Sequence, residues 1–141
     1  MTMAKTVADI MVTPVVSCTK DDTLGHARKL MREHNIRHVP VLDESGRLAG
    51  VLTHKGVLKQ AIKIANKFGM DELERQENKI LVGDVMDVEP ESVQPQMALA
   101  TAGRYFLKSK HGCLPVVEEG CLVGILTSAD FVRLSVELLE R

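Results

Sequence analysis

The sequence predicts a mixed α/β (α+β) fold in which a β-α-β-β-α unit occurs twice in tandem. Three observations predict it. The chain repeats itself: Asp9-Ile10-Met11 returns as Asp84-Val85-Met86, and Leu24 and Ala27 return as Leu99 and Ala102. Val39-Pro40-Val41 returns as Leu114-Pro115-Val116, and Gly50-Val51-Leu52-Thr53 as Gly124-Ile125-Leu126-Thr127. Within each copy the apolar pattern passes from helical spacing to short strand-like runs around a glycine turn. Finally, Thr127-Ser128-Ala129-Asp130 follows an apolar strand and opens an amphipathic tail, the Thr-x-x-acid signature of a helix N-terminus.

Each copy opens on a short apolar segment, Val15-Val16 in the first and Val93 in the second, followed by polar capping residues. A helix comes next, with its stripe at Leu24, Ala27, Leu30 and Met31, or at Leu99, Ala102, Tyr105 and Phe106. Asn35 and Gly112 mark where those helices should end. Val39-Pro40-Val41-Leu42, a glycine turn and Leu48 to Thr53 then read as a hairpin. Asp43-Glu44-Ser45-Gly46 shortens to Glu118-Glu119-Gly120 in the second copy, and a deletion in a turn is what a structural repeat tolerates. Pro40 and Pro115 are expected at a strand start or edge, since proline cannot donate to a central ladder. Another helix opens after Thr53 and after Thr127, with Leu58, Ala61, Ile62 and Ala65 along one face of the first and Phe131, Leu134 and Leu138 along the second. A tail helix this short and apolar needs a partner surface, either the sister helix of the first repeat or another subunit, and a homodimer packed through these two faces is the prediction. Residues 1–67 are thus the first repeat, 68–80 a charged connector and 81–141 the second repeat.

The bulk composition excludes several classes. Eighteen basic against nineteen acidic side chains give a net charge of −1, without the basic excess of a nucleic-acid binder. No apolar run approaches a membrane span, and the N-terminus lacks a signal-peptide core. Three cysteines without a CxxC pair give no disulfide framework and suit a reducing cytoplasm. No nucleophile, base and orienting group can be assembled, so no catalytic residue is assigned and no enzyme is expected. His34 and His38 have helical metal-pair spacing, but Asn35 and Pro40 end the helix between them; Cys113, Cys121 and His111 fit small-residue packing better than a metal site.

Two repeats carrying Asp-h-Met, h-Pro-h-h and Gly-h-h-Thr (h, apolar) resemble a tandem pair of cystathionine-β-synthase (CBS) domains, a Bateman module, over nearly the whole chain. The resemblance implies a disc-like module packed about a pseudo-twofold axis, with two clefts that hold adenine nucleotides or S-adenosylmethionine and regulate a partner. It assigns the ribose diol to Asp130, with Thr127 as its hydroxyl partner. The first copy has Gly56 at the acid's position, a departure that places its site in doubt. The same resemblance gives the phosphate to Arg37, His38 and Lys55, whose counterparts Gly112, Cys113 and Ala129 are not cations. Val15-Val16-Ser17 falls at the adenine-contacting position, with Ile125 packing on the base. One complete cleft and one degraded cleft follow.

From the residues alone, Asp130 has two uses open: a helix-capping carboxylate, or a ribose acceptor. The expected function is accordingly a stand-alone cytoplasmic sensor of AMP, ATP or S-adenosylmethionine that signals through its dimer to a regulated protein. It requires no cofactor or metal and touches neither nucleic acid nor membrane. The alternative is a ligand-free dimeric adaptor with decayed clefts.

Overall fold

The computed structural model of the protein describes residues 3–141. Five helices and six short strands alternate along it: β1 (Cys18–Thr19), α1 (Leu24–His34), β2 (His38–Leu42), β3 (Leu48–Thr53), α2 (His54–Phe68), α3 (Leu73–Glu77), β4 (Asp87–Val88), α4 (Leu99–Lys108), β5 (Cys113–Glu118), β6 (Cys121–Thr127) and α5 (Ser128–Leu139). The mixed α/β class and the order within each repeat are those the sequence predicts.

The chain forms two compact units, and they divide it elsewhere than the sequence repeat does. One unit is Val16–Pro90; the other joins the leading segment through Val15 to Glu91–Arg141. The cause is apolar burial. Val7, in the 3-10 turn Val7–Asp9, is fully buried and belongs to the core of Val93, Ala102, Leu114, Val116 and Leu126. Val82, in the turn Val82–Asp84, lies in the other core with Leu24, Ala27, Met31, Val39, Val41, Leu52 and Val57. Each Asp-h-Met segment therefore completes the unit whose hairpin belongs to the other repeat.

Glycine makes this fit possible. A side chain at Gly124 would place its Cβ 2.5 Å from Met11 Sδ, and one at Gly50 would meet Met86 Sδ at 2.7 Å. The glycine of Gly-h-h-Thr is thus the seat for the methionine of Asp-h-Met, a relation the two separate motifs do not announce.

In the Val16–Pro90 unit the strands lie in the order β1-β2-β3-β4, with β1 parallel to β2 and the other pairs antiparallel. The other unit repeats this plan with single-residue bridges in the flanking places: Val93 pairs in parallel with Val116, and Val12 antiparallel with Ile125. Pro40 and Pro115 are each the third residue of their strand and fully buried. Pro115 is on a strand of a two-stranded sheet, the expected edge, whereas Pro40 is inside the four-stranded sheet, just before β1 begins pairing at Val41. The parallel partner is too short to need the missing donor. Val93 donates to the Pro115 carbonyl at 3.0 Å and accepts from Val117 N at 2.8 Å, so the ladder begins just past the proline nitrogen.

Thr23 and Thr53 cap α1 and α2, each hydroxyl accepting from the amide three residues on, at 3.1 and 3.0 Å. Asn35 ends α1 in the left-handed region, as its position suggests. Gly112 does not end α4, which stops at Lys108 with Ser109 as cap. The hairpin glycines Gly46 and Gly120 both have φ of 82°. The connector is not wholly solvated: Glu77 on α3 is buried and pairs with Arg28 on α1 at 3.3 Å. Burial pushes its carboxyl pKa up against the pull of Arg28. Phe131 is half-buried, its ring packing edge-on to Phe106 at 5.7 Å against the core of its own unit.

Candidate functional site

In each unit, the start of one hairpin strand lies beside the end of its partner and the first turn of the following helix. His38 is opposite Thr53, and His54 N donates to the Arg37 carbonyl at 2.8 Å. Arg37, His38, Thr53 and Lys55 therefore gather at one end of the β2-β3 hairpin. Arg37 and Lys55 are exposed, while His38 is half-buried. Burial, seconded by the Arg37 charge, lowers the His38 pKa from its ordinary value of 6.5. Its imidazole is a neutral donor and acceptor at pH 7, so the expected trio of cations is two cations and a neutral imidazole.

The matching end of the other unit is built alike with different chemistry. Cys113 is opposite Thr127, and Ser128 N donates to the Gly112 carbonyl at 3.3 Å. Cys113 takes the place of His38. Burial, then the nearby Asp130 charge, pushes its thiol up to about 12, so it carries no charge. Asp130, in the first turn of α5, is buried at 3% exposure. Its Oδ2 accepts from Thr127 N at 2.8 Å and from the Thr127 hydroxyl at 3.4 Å, forming a capping box. Its Oδ1 accepts from the guanidinium of Arg133. The Thr53 hydroxyl accepts from Gly56 N instead, with no carboxylate in that turn.

Ile125, half-buried, exchanges both backbone hydrogen bonds with Val12, at 2.8 and 3.1 Å. Val15, Val16 and Ser17 are half-buried and lie where one compact unit gives way to the other.

Asp130, in one unit, can therefore accept from two adjacent hydroxyls, and Arg37 and Lys55, in the other, can neutralise an anion. A carboxylate offers about four acceptor directions, so the cap leaves capacity for ribose. Arg133 was not singled out from the sequence, although an Asp-x-x-Arg spacing on a helix brings the two onto one face. Among the described residues no group of three or more His, Cys, Asp or Glu is placed to hold a metal ion. Among them, too, no helix is long and apolar enough to cross a membrane.

The repeat, the two compact units and the acid after Gly-h-h-Thr define a tandem-repeat module, and the CBS domain profile matches residues 7–63 and 82–137. The chain belongs to the CBS domain family. Among solved structures it is similar to a Vibrio cholerae protein with the acetoin-utilization designation AcuB. The two are 34% identical, with a TM-score of 0.81 over 99% of this chain and 95% of that one. CBSX2 from Arabidopsis thaliana is 28% identical, TM-score 0.82, with 99% of each chain covered. CBSX2 has also been solved in complex with AMP, matching at 27% identity and a TM-score of 0.76 over 96% of this chain and 99% of that one. The CBS domain pair of protein MJ0100, in complex with 5'-methylthioadenosine and S-adenosyl-L-methionine, is 25% identical with a TM-score of 0.77 over 94% of this chain and 97% of that one. This chain spans 81% of the CBS domain-containing protein YhcV of Bacillus subtilis, 29% identical over 124 residues, but only 24% of an inosine-5'-monophosphate dehydrogenase from Korarchaeum cryptofilum.

Proposed function

We propose that this CBS pair is a regulatory module that binds an adenine nucleotide and passes the bound state to a partner protein through a homodimer. Asp130 accepts from the ribose diol, with Thr127 fixing its position, and Arg37 and Lys55 neutralise the phosphate. His38 adds a neutral hydrogen bond. Val15, Val16 and Ser17 supply main-chain contacts to adenine, and Ile125 packs on the base.

The observation that carries this reading is the placement of Asp130. It is a buried carboxylate held by backbone at the start of α5, at the position of the family's ribose acid, whereas the other unit has Gly56. Two cations at the end of the β2-β3 hairpin favour a phosphate over the sulfonium of S-adenosylmethionine. The AMP complex of CBSX2 supports the same ligand class. Exposed apolar side chains support the dimer: Leu58 and Ile62 on α2, and Val132, Val136 and Leu138 on α5.

A second reading has an observation of its own. Both Asp130 oxygens have protein partners, which suits an adaptor that holds no ligand. A thermal-shift panel of AMP, ADP, ATP, NAD and S-adenosylmethionine separates the two readings. A bound ligand at a hundredfold over its Kd stabilises the native state by about 2.7 kcal/mol. A nucleotide-dependent rise in melting temperature supports the sensor; five flat traces support the adaptor.

A further inference from the structure

Asp130 is covered as well as fixed. Its side chain is 2% exposed, while that of Arg133, one turn further along α5 and closed on Oδ1, is 65% exposed. Thr127 occupies Oδ2 through its amide and hydroxyl. Oδ1 is therefore the oxygen with no backbone partner, and a diol that uses both carboxylate oxygens must reach it where the guanidinium lies. The other unit has Gly56 and Lys59 in the matching places, so the acid and the guanidinium are absent together.

We infer that Arg133 is an internal competitor for the ribose position: its ion pair with Asp130 and the ribose–Asp130 hydrogen bonds exclude one another at Oδ1, so Arg133 sets the affinity of the site. The inference rests on the ribose reading of Asp130. The displaced side chain has somewhere to go, since most of it is already in water and its long stem turns by rotamer changes alone. A pair with one partner so exposed is worth little, so it tunes binding and does not forbid it. Arg133 also keeps a buried carboxylate partnered until the ligand arrives. Salt supplies a signature. Adenosine is neutral, so its binding releases no counterions, while screening weakens the ion pair it must break; adenosine should bind more tightly as salt rises.

The test is calorimetry with adenosine and AMP, at low and high salt, on the intact chain and on Arg133→Met, Arg133→Lys and Asp130→Ala, each checked by circular dichroism. Arg133→Met keeps the apolar stem and should bind adenosine on the order of two- to fivefold more tightly than wild type at low salt. That gap should close at high salt, with Arg133→Lys in between. Equal or weaker adenosine binding by Arg133→Met, or a wild-type affinity that ignores salt, overturns the competitor role. If wild type binds and Asp130→Ala does not, that failure is confined to Arg133. If no variant binds either ligand, the ribose reading falls and the competitor with it.

Discussion

The seating of Met11 on Gly124 can be tested by filling the glycine. In Gly124→Ala the new Cβ would lie 2.5 Å from Met11 Sδ, 3.0 Å from its Cγ and 3.3 Å from its Cβ. Favourable contact between carbon atoms begins near 3.5 Å, so the overlap reaches about 1 Å. A methionine adapts easily, yet turning the thioether alone leaves the Cβ contact tight, and the leading segment must shift. Overpacking of this kind costs about 1–3 kcal/mol. Met11→Ala alone also destabilises, through lost packing, but it removes the obstruction. Urea unfolding of the two single variants and the double variant should therefore show a coupling of about 0.5–3 kcal/mol, with Gly124→Ala nearly harmless in the Met11→Ala background. The equivalent cycle at Gly50 and Met86 should behave differently. The Asp87 backbone carbonyl also lies 2.5 Å from the position of a Cβ there, so Met86→Ala should not rescue Gly50→Ala. Costs at Gly124 and Met11 that add to within about 0.5 kcal/mol would refute the contact and, with it, the placement of the leading segment.

Three further outcomes follow from the geometry. Gly46→Ala should cost about 1–2 kcal/mol in thermal unfolding from backbone strain alone, because its φ is 82° and nothing lies within 4 Å of a Cβ there. Cys18 and Cys113 are buried with thiols pushed up to about 12, whereas Cys121 is exposed; a thiol reagent should label Cys121 rapidly in the native protein and all three only in denaturant. His38 titrates lower folded than its unfolded value of 6.5, so the unfolded chain takes up the proton first as pH falls. The stability it contributes is complete above pH 6.5 and is lost as pH drops through the folded pKa; His38→Gln should show a shallower loss on acidification.

Local order was legible in the sequence because it is written locally. The repeat, the helical stripes, Thr53 and Thr127 at helix starts, and Gly46 and Gly120 in turns all depend on neighbours a few residues away. The partnership of Met11 with Gly124 depends on residues far apart, and nothing in either motif says which copy it serves. Pro40 lies within a four-stranded sheet for a physical reason: the rule against proline in central strands concerns the missing donor, and here the parallel neighbour begins only opposite Val41, past that donor. The candidate site rests on residue types that the CBS resemblance assigns, Asp130, Thr127, Arg37 and Lys55. Its electrostatics were not legible in the sequence. Burial decides that His38 is neutral, and only side-chain geometry brings Arg133 onto Asp130.

The ribose role of Asp130 is the claim on which the functional account turns, and calorimetry with AMP on wild type and Asp130→Ala tests it most directly. Removing the cap will itself cost about 0.5–2 kcal/mol of stability, so titrations belong at a temperature where circular dichroism shows both proteins folded. Losing the charge-assisted bonds to the diol should weaken AMP by about 1.5–3 kcal/mol, on the order of ten- to a hundredfold. Equal affinity of the two proteins for AMP would contradict the account.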